Sequence, residues 1–173
     1  MKRVFDLGVG IIIFMMALVP MLILALGVKI SSKGTAVYWS DRVGRNNVIF
    51  KMPKFRTMRL NTPEMATHLM SKPDTFLSPL GGGLRRSSLD ELPQLWSILK
   101  GDMSFVGPRP ALFNQVDLVA LRTEKGVDKL IPGLTGWAQV NGRDELPIRE
   151  KVALDMEYME KQSFWFDLKI LWL

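Results

Sequence analysis

The chain has 173 residues, of which 47% are hydrophobic and 23% charged, with a formal net charge of +6 at pH 7, and this length suits one domain with its own core. The absence of cysteine excludes a disulfide framework and a thiolate nucleophile, and the single histidine argues against a zinc centre or a Ser-His-Asp triad. The positive charge favours an anionic partner: a phospholipid surface, a phosphorylated substrate or a nucleic acid.

An uncharged apolar segment covers residues 7–28 and is close to the roughly 20 residues that a membrane-spanning helix needs. Basic residues flank both of its ends: Lys2, Arg3, Lys29 and Lys33. The positive-inside rule therefore assigns both ends to the cytoplasmic side. Pro20 removes a backbone hydrogen bond within the segment and favours a kink. We expect a re-entrant helix-break-helix over residues 1–30; a single spanning helix with a tolerated proline is the alternative.

Beyond this segment the chain is polar. Two short stretches rich in β-branched and aromatic residues, 35–40 and 47–52, flank a turn at 44–47. This pattern predicts a β-hairpin. The segment 61–83 then mixes turn-forming and polar residues with few apolar ones, and we expect one helix at 64–70 with loops around it.

A polar sequence opens the next predicted helix, which runs from Ser88 to Gly101. Its apolar positions recur at helical spacing: Leu92, Leu95, Trp96 and Leu99. Ser88 and Glu91 have the spacing of a capping box, so Glu91 can simply accept a hydrogen bond from the Ser88 amide. Asp90, in the first turn, can likewise only complement the helix dipole.

The basic residues near these two carboxylates indicate a different role. They exceed what two capping carboxylates need, and they comprise Lys54, Arg56, Arg85, Arg86 and Arg109. Such cations favour an ionised aspartate, which a carboxylate nucleophile requires, and arginine forks offset the charge of a phosphoryl group during transfer. Paired carboxylates without histidine or cysteine also suit Mg²⁺. Asp90 and Glu91 are therefore candidates for phosphoryl-transfer chemistry and for binding Mg²⁺.

Two further helices are predicted at 115–122 and 147–161. The final segment, 164–173, is rich in tryptophan, phenylalanine and other apolar residues, and it can either lie in the bilayer interface or pack on the domain core. Together these elements predict an α+β, mostly helical fold. The membrane segment at residues 1–30 precedes a single catalytic unit at residues 31–173 on the cytoplasmic face, with short strands and interfacial amphipathic helices.

Several motifs in this sequence resemble those of the bacterial sugar transferases, monotopic phosphoglycosyl transferases that load a phospho-sugar onto a polyprenyl phosphate carrier. The resemblance covers nearly the whole chain, with motifs at residues 2–6, 54–58, 84–110 and 132–143. The sequence departs from the family at Val19, where members commonly have a serine before the proline. Family members also usually continue past the position of Leu173.

The resemblance implies that Asp90 is the nucleophile and Glu91 its partner in a catalytic dyad. Asp90 is expected to attack the β-phosphate of a UDP-sugar, release UMP and hold a covalent phospho-sugar. A polyprenyl phosphate, expected to be undecaprenyl phosphate, then takes up the phospho-sugar as the first membrane step of glycoconjugate assembly. Glu91 either orients Mg²⁺ or handles a proton. The implied location is the bacterial inner membrane.

The residues expected to contact substrate are Lys54, Arg56, Arg85, Arg109, Gln139, Asn141 and Arg143. Of these, Arg85 and Arg109 are assigned to the phosphates, with Lys54 and Arg56 as weaker candidates. The last three either contact the nucleotide or sugar or only form a turn. The alternative to an enzyme is a membrane-anchored scaffold whose basic face binds anionic lipid or partner proteins. Nucleic acid is not an expected partner, because the basic residues are interleaved with carboxylates and no recognised motif occurs.

Overall fold

The structure, a computed structural model, describes residues 1–60, 62, 73–142 and 146–173. The helix predicted at 64–70 and Arg143 lie outside these residues. The described residues are mostly helical with some short strands. The helices are α1 (Lys2–Ser31), α2 (Gly81–Arg86), α3 (Leu95–Lys100), α4 (Val116–Glu124), α5 (Trp137–Val140), α6 (Ile148–Lys161) and α7 (Phe164–Trp172). The strands are β1 (Val37–Val43), β2 (Ile49–Phe55), β3 (Ser104–Val106) and β4 (Gly133–Thr135).

The predicted hairpin is confirmed. Strands β1 and β2 pair antiparallel, with Ser40 opposite Met52, and both extend beyond the predicted stretches. Asn46 and Asn47 in the turn have positive φ angles of 55° and 60°, a conformation that asparagine tolerates better than most residues. A second pair, β3 and β4, is parallel. It was not predicted, because three residues per strand are too few to show an alternating pattern.

Helix α1 is long and apolar enough to cross a membrane. It is one continuous helix through Pro20, so the structure does not confirm the predicted break. Pro20 has no amide hydrogen to donate, and it lies on the exposed side of the helix with helical residues before and after it. Many apolar side chains on that side are exposed: Ile11, Ile12, Met15, Met16, Val19, Leu22, Ile23, Leu26 and Ile30.

The opposite face of α1 packs on the rest of the protein along the whole helix. The residues of this face recur every three or four positions: Asp6, Gly10, Phe14, Ala17, Met21, Leu24 and Val28. At the N-terminal end of α1, Arg3 donates to the carbonyl oxygens of Ile98 and Leu99 at 2.5 and 2.7 Å. Both ends of α1 are therefore attached to the same domain.

Helix α7 packs against the N-terminal end of α1. The Asp167 carboxylate accepts hydrogen bonds from Lys2 Nζ at 2.5 Å and from the Tyr158 hydroxyl at 2.7 Å. Trp165 and Trp172 on the other side of α7 are 77% and 91% exposed. One face of the final segment thus packs on the core, as one of the two alternatives predicted, and the other face exposes tryptophan side chains. A position in the bilayer interface stays a prediction.

Candidate active site

The two candidate carboxylates lie on a short 3₁₀ helix, Leu89–Gln94, which we call the dyad helix. It leads into α3, so the helix predicted from Ser88 to Gly101 consists of two elements. Pro93 explains the change, because it has no amide hydrogen and its ring crowds the preceding turn of an α-helix. The dyad helix packs against β2, the strand that carries Lys54.

The predicted capping box is wrong. Ser88 has a left-handed backbone conformation with φ of 56°, and its side chain makes no capping hydrogen bond. The Glu91 carboxylate instead accepts hydrogen bonds from Lys54 Nζ at 2.8 Å and from Arg109 Nη2 at 3.2 Å. Glu91 therefore joins strand β2 to the loop that follows β3.

These two ion pairs decide the charge of Glu91. Burial acts to raise its pKa, but the charges and hydrogen bonds of Lys54 and Arg109 outweigh burial and lower the pKa to about 2. The side chains of Lys54 and Glu91 are only 17% and 19% exposed, so water screens their attraction weakly. Burial lowers the pKa of Lys54 in turn, against the attraction of Glu91.

Asp90 lies beside this cluster but has a different environment. It is 7% exposed, and in the described part of the chain its carboxylate forms no hydrogen bond or salt bridge with another side chain. Burial raises its pKa and the charge of Glu91 adds to the effect, whereas Lys54 and Arg85 act to lower it. The two neighbouring carboxylates thus have pKa shifts of opposite sign, which is the pattern of groups with separate roles.

Arg85, at the end of α2, is the second cation near Asp90. Its Nε donates to Thr57 Oγ1 at 3.0 Å, and its charge favours the ionised form of Asp90. Gly81 allows this placement: a Cβ atom there would lie 2.0 Å from the Thr57 carbonyl oxygen, so only glycine lets α2 approach the end of β2 so closely.

Arg56 is placed elsewhere. It is 6% exposed, and its Nη2 donates to the carbonyl and the hydroxyl of Ser32 at 3.1 and 3.0 Å. Strand β2 ends at Phe55, so Arg56 no longer follows the alternation that directs Lys54 to Glu91. In this structure Arg56 ties the end of β2 to the residue after α1.

Gln139 lies within α5, and Asn141 directly follows the helix. Gln139 Nε2 donates to the Leu134 carbonyl at 3.5 Å, and Asn141 Nδ2 donates to the Trp137 carbonyl at 2.8 Å. No hydrogen bond or salt bridge among the described residues joins either of them to the dyad helix. Both hydrogen bonds are local to this segment, and contact of Gln139 or Asn141 with the nucleotide or sugar stays a prediction.

A magnesium site would depend on Asp90 and Glu91. Within the described ranges, no three residues of the types histidine, cysteine, aspartate and glutamate form a cluster that could hold a metal by themselves. The side chains of Lys54 and Arg109 both contact the same oxygen of Glu91, Oε1. Two adjacent carboxylates with few other ligands fit Mg²⁺, which is commonly bound by one or two carboxylates together with substrate phosphates.

Sequence reasoning missed two buried charged residues behind the site, Arg122 and Asp155. Arg122 Nη2 and Asp155 Oδ2 are 2.7 Å apart, with side-chain exposures of 9% and 1%. A weak signal existed, because Arg122 lies four positions after the buried Leu118 and so shares its helix face. Charged residues in a polar helix are usually solvated, which is why the pattern did not single them out.

Comparison with known proteins gives two results. The family model described as bacterial sugar transferase matches residues 1–173. The undecaprenyl-phosphate glucose phosphotransferase of Komagataeibacter xylinus is 39% identical over 99% of this chain and 34% of its own length. The UDP-glucose:undecaprenyl-phosphate glucose-1-phosphate transferase of Escherichia coli K12 is 36% identical over 100% of this chain and 39% of its own length.

A shorter relative matches over most of its length. The uncharacterized sugar transferase EpsL of Bacillus subtilis 168 is 39% identical over 100% of this chain and 84% of its own length. The chain therefore spans 34 to 39% of the two longer relatives and most of the shorter one.

Proposed function

The chain belongs to the bacterial sugar transferases, and from this membership we propose that it transfers a phospho-sugar from a UDP-sugar to undecaprenyl phosphate through a covalent intermediate on Asp90. The names of the longer relatives, which act on undecaprenyl phosphate, support the carrier. The transfer would be the first membrane step of glycoconjugate assembly, on the cytoplasmic face of the inner membrane where nucleotide sugars are made. The sugar itself is left open.

The proposed reaction has two displacement steps. An Asp90 oxygen attacks the β-phosphorus of the UDP-sugar, and the bond between that phosphorus and the bridging oxygen breaks, so that UMP leaves with the oxygen and its electron pair. An oxygen of undecaprenyl phosphate then attacks the same phosphorus. The bond to Asp90 breaks, which restores the carboxylate and releases the diphosphate-linked sugar.

One observation supports this assignment above the others: Glu91, not Asp90, accepts the direct contacts of Lys54 and Arg109. Asp90 is buried near Lys54 and Arg85, without a side-chain partner in the described part of the chain. A carboxylate that no basic side chain binds directly can attack a phosphorus, while the nearby basic side chains offset the charge of the phosphate oxygens.

The residues present fit Mg²⁺, and Asp90 and Glu91 would hold it together with substrate phosphates. When bound, the ion would offset phosphate charge. The protein's own contribution is separate from the metal. Arg85 and Arg109 supply guanidinium groups next to the dyad helix, and Glu91 keeps Lys54 and Arg109 in place.

We further propose a monotopic arrangement, in which α1 lies within one leaflet. A helix of 30 residues is about 45 Å long, which exceeds the roughly 30 Å hydrocarbon core. Because one face of α1 is bound to the domain along its whole length, a perpendicular span would carry the domain's polar surface into the bilayer as well. Trp165 and Trp172 are exposed on α7, which packs against the N-terminal end of α1. Tryptophan side chains are common in the lipid headgroup region.

The proposed membrane arrangement makes a testable prediction. The protein has no cysteine, so single cysteines at Val4 and Lys33 can be labelled without background. In inside-out inner-membrane vesicles, we expect a membrane-impermeant maleimide to label both positions. In right-side-out vesicles it should label neither. Labelling of the two positions from opposite sides would show that α1 spans the membrane.

The transferase proposal is tested with purified protein in detergent or nanodiscs. UDP-sugars are supplied one at a time, with undecaprenyl phosphate and Mg²⁺, and UMP release is measured. A sample given donor without acceptor is analysed by intact mass, which should show an adduct of one phospho-sugar. If no donor in a broad panel yields UMP or an adduct, the transferase proposal fails and the scaffold without catalytic activity gains support.

In Lys54→Met, we expect the fall of kcat/KM on the acidic side of its pH profile to occur at higher pH than in the unaltered protein. Asp90 must be ionised to attack, so activity falls as the pH drops through its pKa, which burial already raises. The Lys54 charge acts to lower that pKa, so its removal raises the pKa further. The measurement is kcat/KM for UMP release against pH, with the exposed Lys51→Met as a control. An unshifted acidic limb would argue against Asp90 as the titrating group.

A further inference from the structure

The segment that carries Arg109 is held by an unusual number of neighbours. We call residues 108–111 the Arg109 strap. Each of its four carbonyl oxygens accepts a hydrogen bond from another element, and the donors in order are Gly133 N at 2.9 Å, Arg122 Nη1 at 2.8 Å, Arg42 Nη1 at 3.2 Å and Val43 N at 2.9 Å. The second of these bonds ends on the carbonyl of Arg109 itself.

Arg122 makes this bond from a buried and oriented position. Its Nε and Nη2 donate to Asp155 Oδ2 at 2.9 and 2.7 Å, while its Nη1 donates to the Arg109 carbonyl. Three donors of one planar guanidinium are thus used in fixed directions. Asp155 lies on α6 and Arg122 on α4, so the pair connects two helices to the strap.

The strap in turn determines where the Arg109 guanidinium lies. Pro108 and Pro110 restrict the backbone on both sides of Arg109, so a carbonyl held at Arg109 also fixes the direction in which its side chain leaves. That side chain reaches Glu91 at 3.2 Å. The contacts therefore run from Asp155 through Arg122 and the Arg109 backbone to the dyad helix.

We propose that Arg122, oriented by Asp155, is a positioning residue that holds the Arg109 guanidinium against Glu91 and the substrate phosphates. The phosphate part of this statement rests on the proposed function. A buried ion pair is weak evidence for stability, since apolar residues of similar size often replace it without loss. Arg122 also donates to the Arg109 carbonyl, and apolar residues in place of the pair could not form this hydrogen bond.

The first test follows the strap without using activity. A spin label is attached to a cysteine at Phe113, which is 46% exposed two residues beyond the strap, in the otherwise cysteine-free protein. The double variant Arg122→Met/Asp155→Leu should stay folded and raise label mobility at this position. A second label at Glu124, on the same helix as Arg122, should keep its mobility. The surface pair Lys51→Met/Asp41→Leu is the control variant.

The second test measures coupling to Arg109. We expect Arg122→Met/Asp155→Leu to lower kcat/KM about ten- to hundredfold, the size of effect that a misplaced catalytic group produces. Adding Arg109→Met to it should cost little more than Arg109→Met alone, because both changes remove the same placed cation. Should the double variant fail to fold, Arg122→Lys replaces it, since lysine keeps the charge but cannot make the three directed bonds.

The outcomes separate this inference from the proposed function. Mobility that rises at residue 113 only, with a non-additive loss of activity, supports the positioning role. Unchanged mobility at 113, equal increases at 113 and 124, or fully additive losses would overturn it. If the unaltered protein transfers no phospho-sugar, the proposed function fails, whereas the mobility measurement still decides whether Arg122 holds the strap.

Discussion

Asp90→Asn is expected to reduce UMP release by at least about a thousandfold and to remove the phospho-sugar adduct from the intact mass. The amide is nearly the same size as the carboxylate but is a poor nucleophile. Residual turnover in this variant should be measured with the donor that gives the highest rate in the unaltered protein. An adduct or more than a few per cent activity in Asp90→Asn would contradict the assignment of the nucleophile.

The same substitution should leave the protein at least as stable as before. Burial raises the pKa of Asp90, which means that the folded protein disfavours its charge. Asparagine removes that charge, so the melting temperature should stay the same or rise. Asp41→Asn, which breaks only an exposed contact with Lys51, serves as the matched control and should retain activity. Loss of activity at unchanged stability then reports chemistry instead of unfolding.

Glu91→Gln is expected to have the opposite effect on stability. The folded pKa of Glu91 is about 2, below the ordinary value of 4.5, and this shift corresponds to about 3 kcal/mol at neutral pH. The glutamine also removes the carboxylate that Lys54 and Arg109 contact. We expect the melting temperature to fall by about 5 to 10 °C and activity to fall by about a hundredfold or more.

The sign of the pH dependence gives a sharper check on Glu91. Its pKa is depressed in the folded state, so the stabilisation is complete above pH 4.5 and disappears as the pH falls towards 2. The difference in melting temperature between the unaltered protein and Glu91→Gln should therefore shrink over this range. A difference that stays constant with pH would mean that the ion pairs with Lys54 and Arg109 are not its cause.

A second substitution separates stability from catalysis at Glu91. In Lys54→Met/Glu91→Gln the largely buried cation is removed together with its partner, so part of the lost stability should return. Activity should remain low, because the Glu91 carboxylate that contacts Arg109 is still absent in this variant. Recovery of activity along with stability would show that Glu91 acts only as a structural ion-pair partner.

These expectations follow from an unequal use of two adjacent carboxylates. Glu91 accepts the direct bonds of Lys54 and Arg109, whereas the charges of Lys54 and Arg85 act on Asp90 without a direct bond. In the proposed mechanism, Glu91 organises the basic residues and Asp90 is left for the chemistry. The arrangement accounts for the occurrence of both acids side by side on one short helix.

Much of the architecture could be predicted from the sequence. The β-hairpin and the helices near 115–122 and 147–161 have strong local patterns, and the structure confirms them. The break predicted at Pro20 is not confirmed, since local rules for proline do not include the packing of α1 along the domain. The short parallel pair β3 and β4 depends on contacts between distant parts of the chain, which no local pattern reveals.

Three features could be read directly from the residues: the Asp90-Glu91 pair, the basic residues around it and an apolar segment of membrane length. Which of the two carboxylates binds Lys54 and Arg109 became clear only from the folded chain, because β2 and the Arg109 strap meet at Glu91. In the folded chain Arg56 donates to Ser32. The Arg122–Asp155 pair contacts the Arg109 strap. The amino-acid sequence states residue type and formal charge directly. Burial and interatomic distance, which set pKa values and contacts, arise only when remote segments pack together.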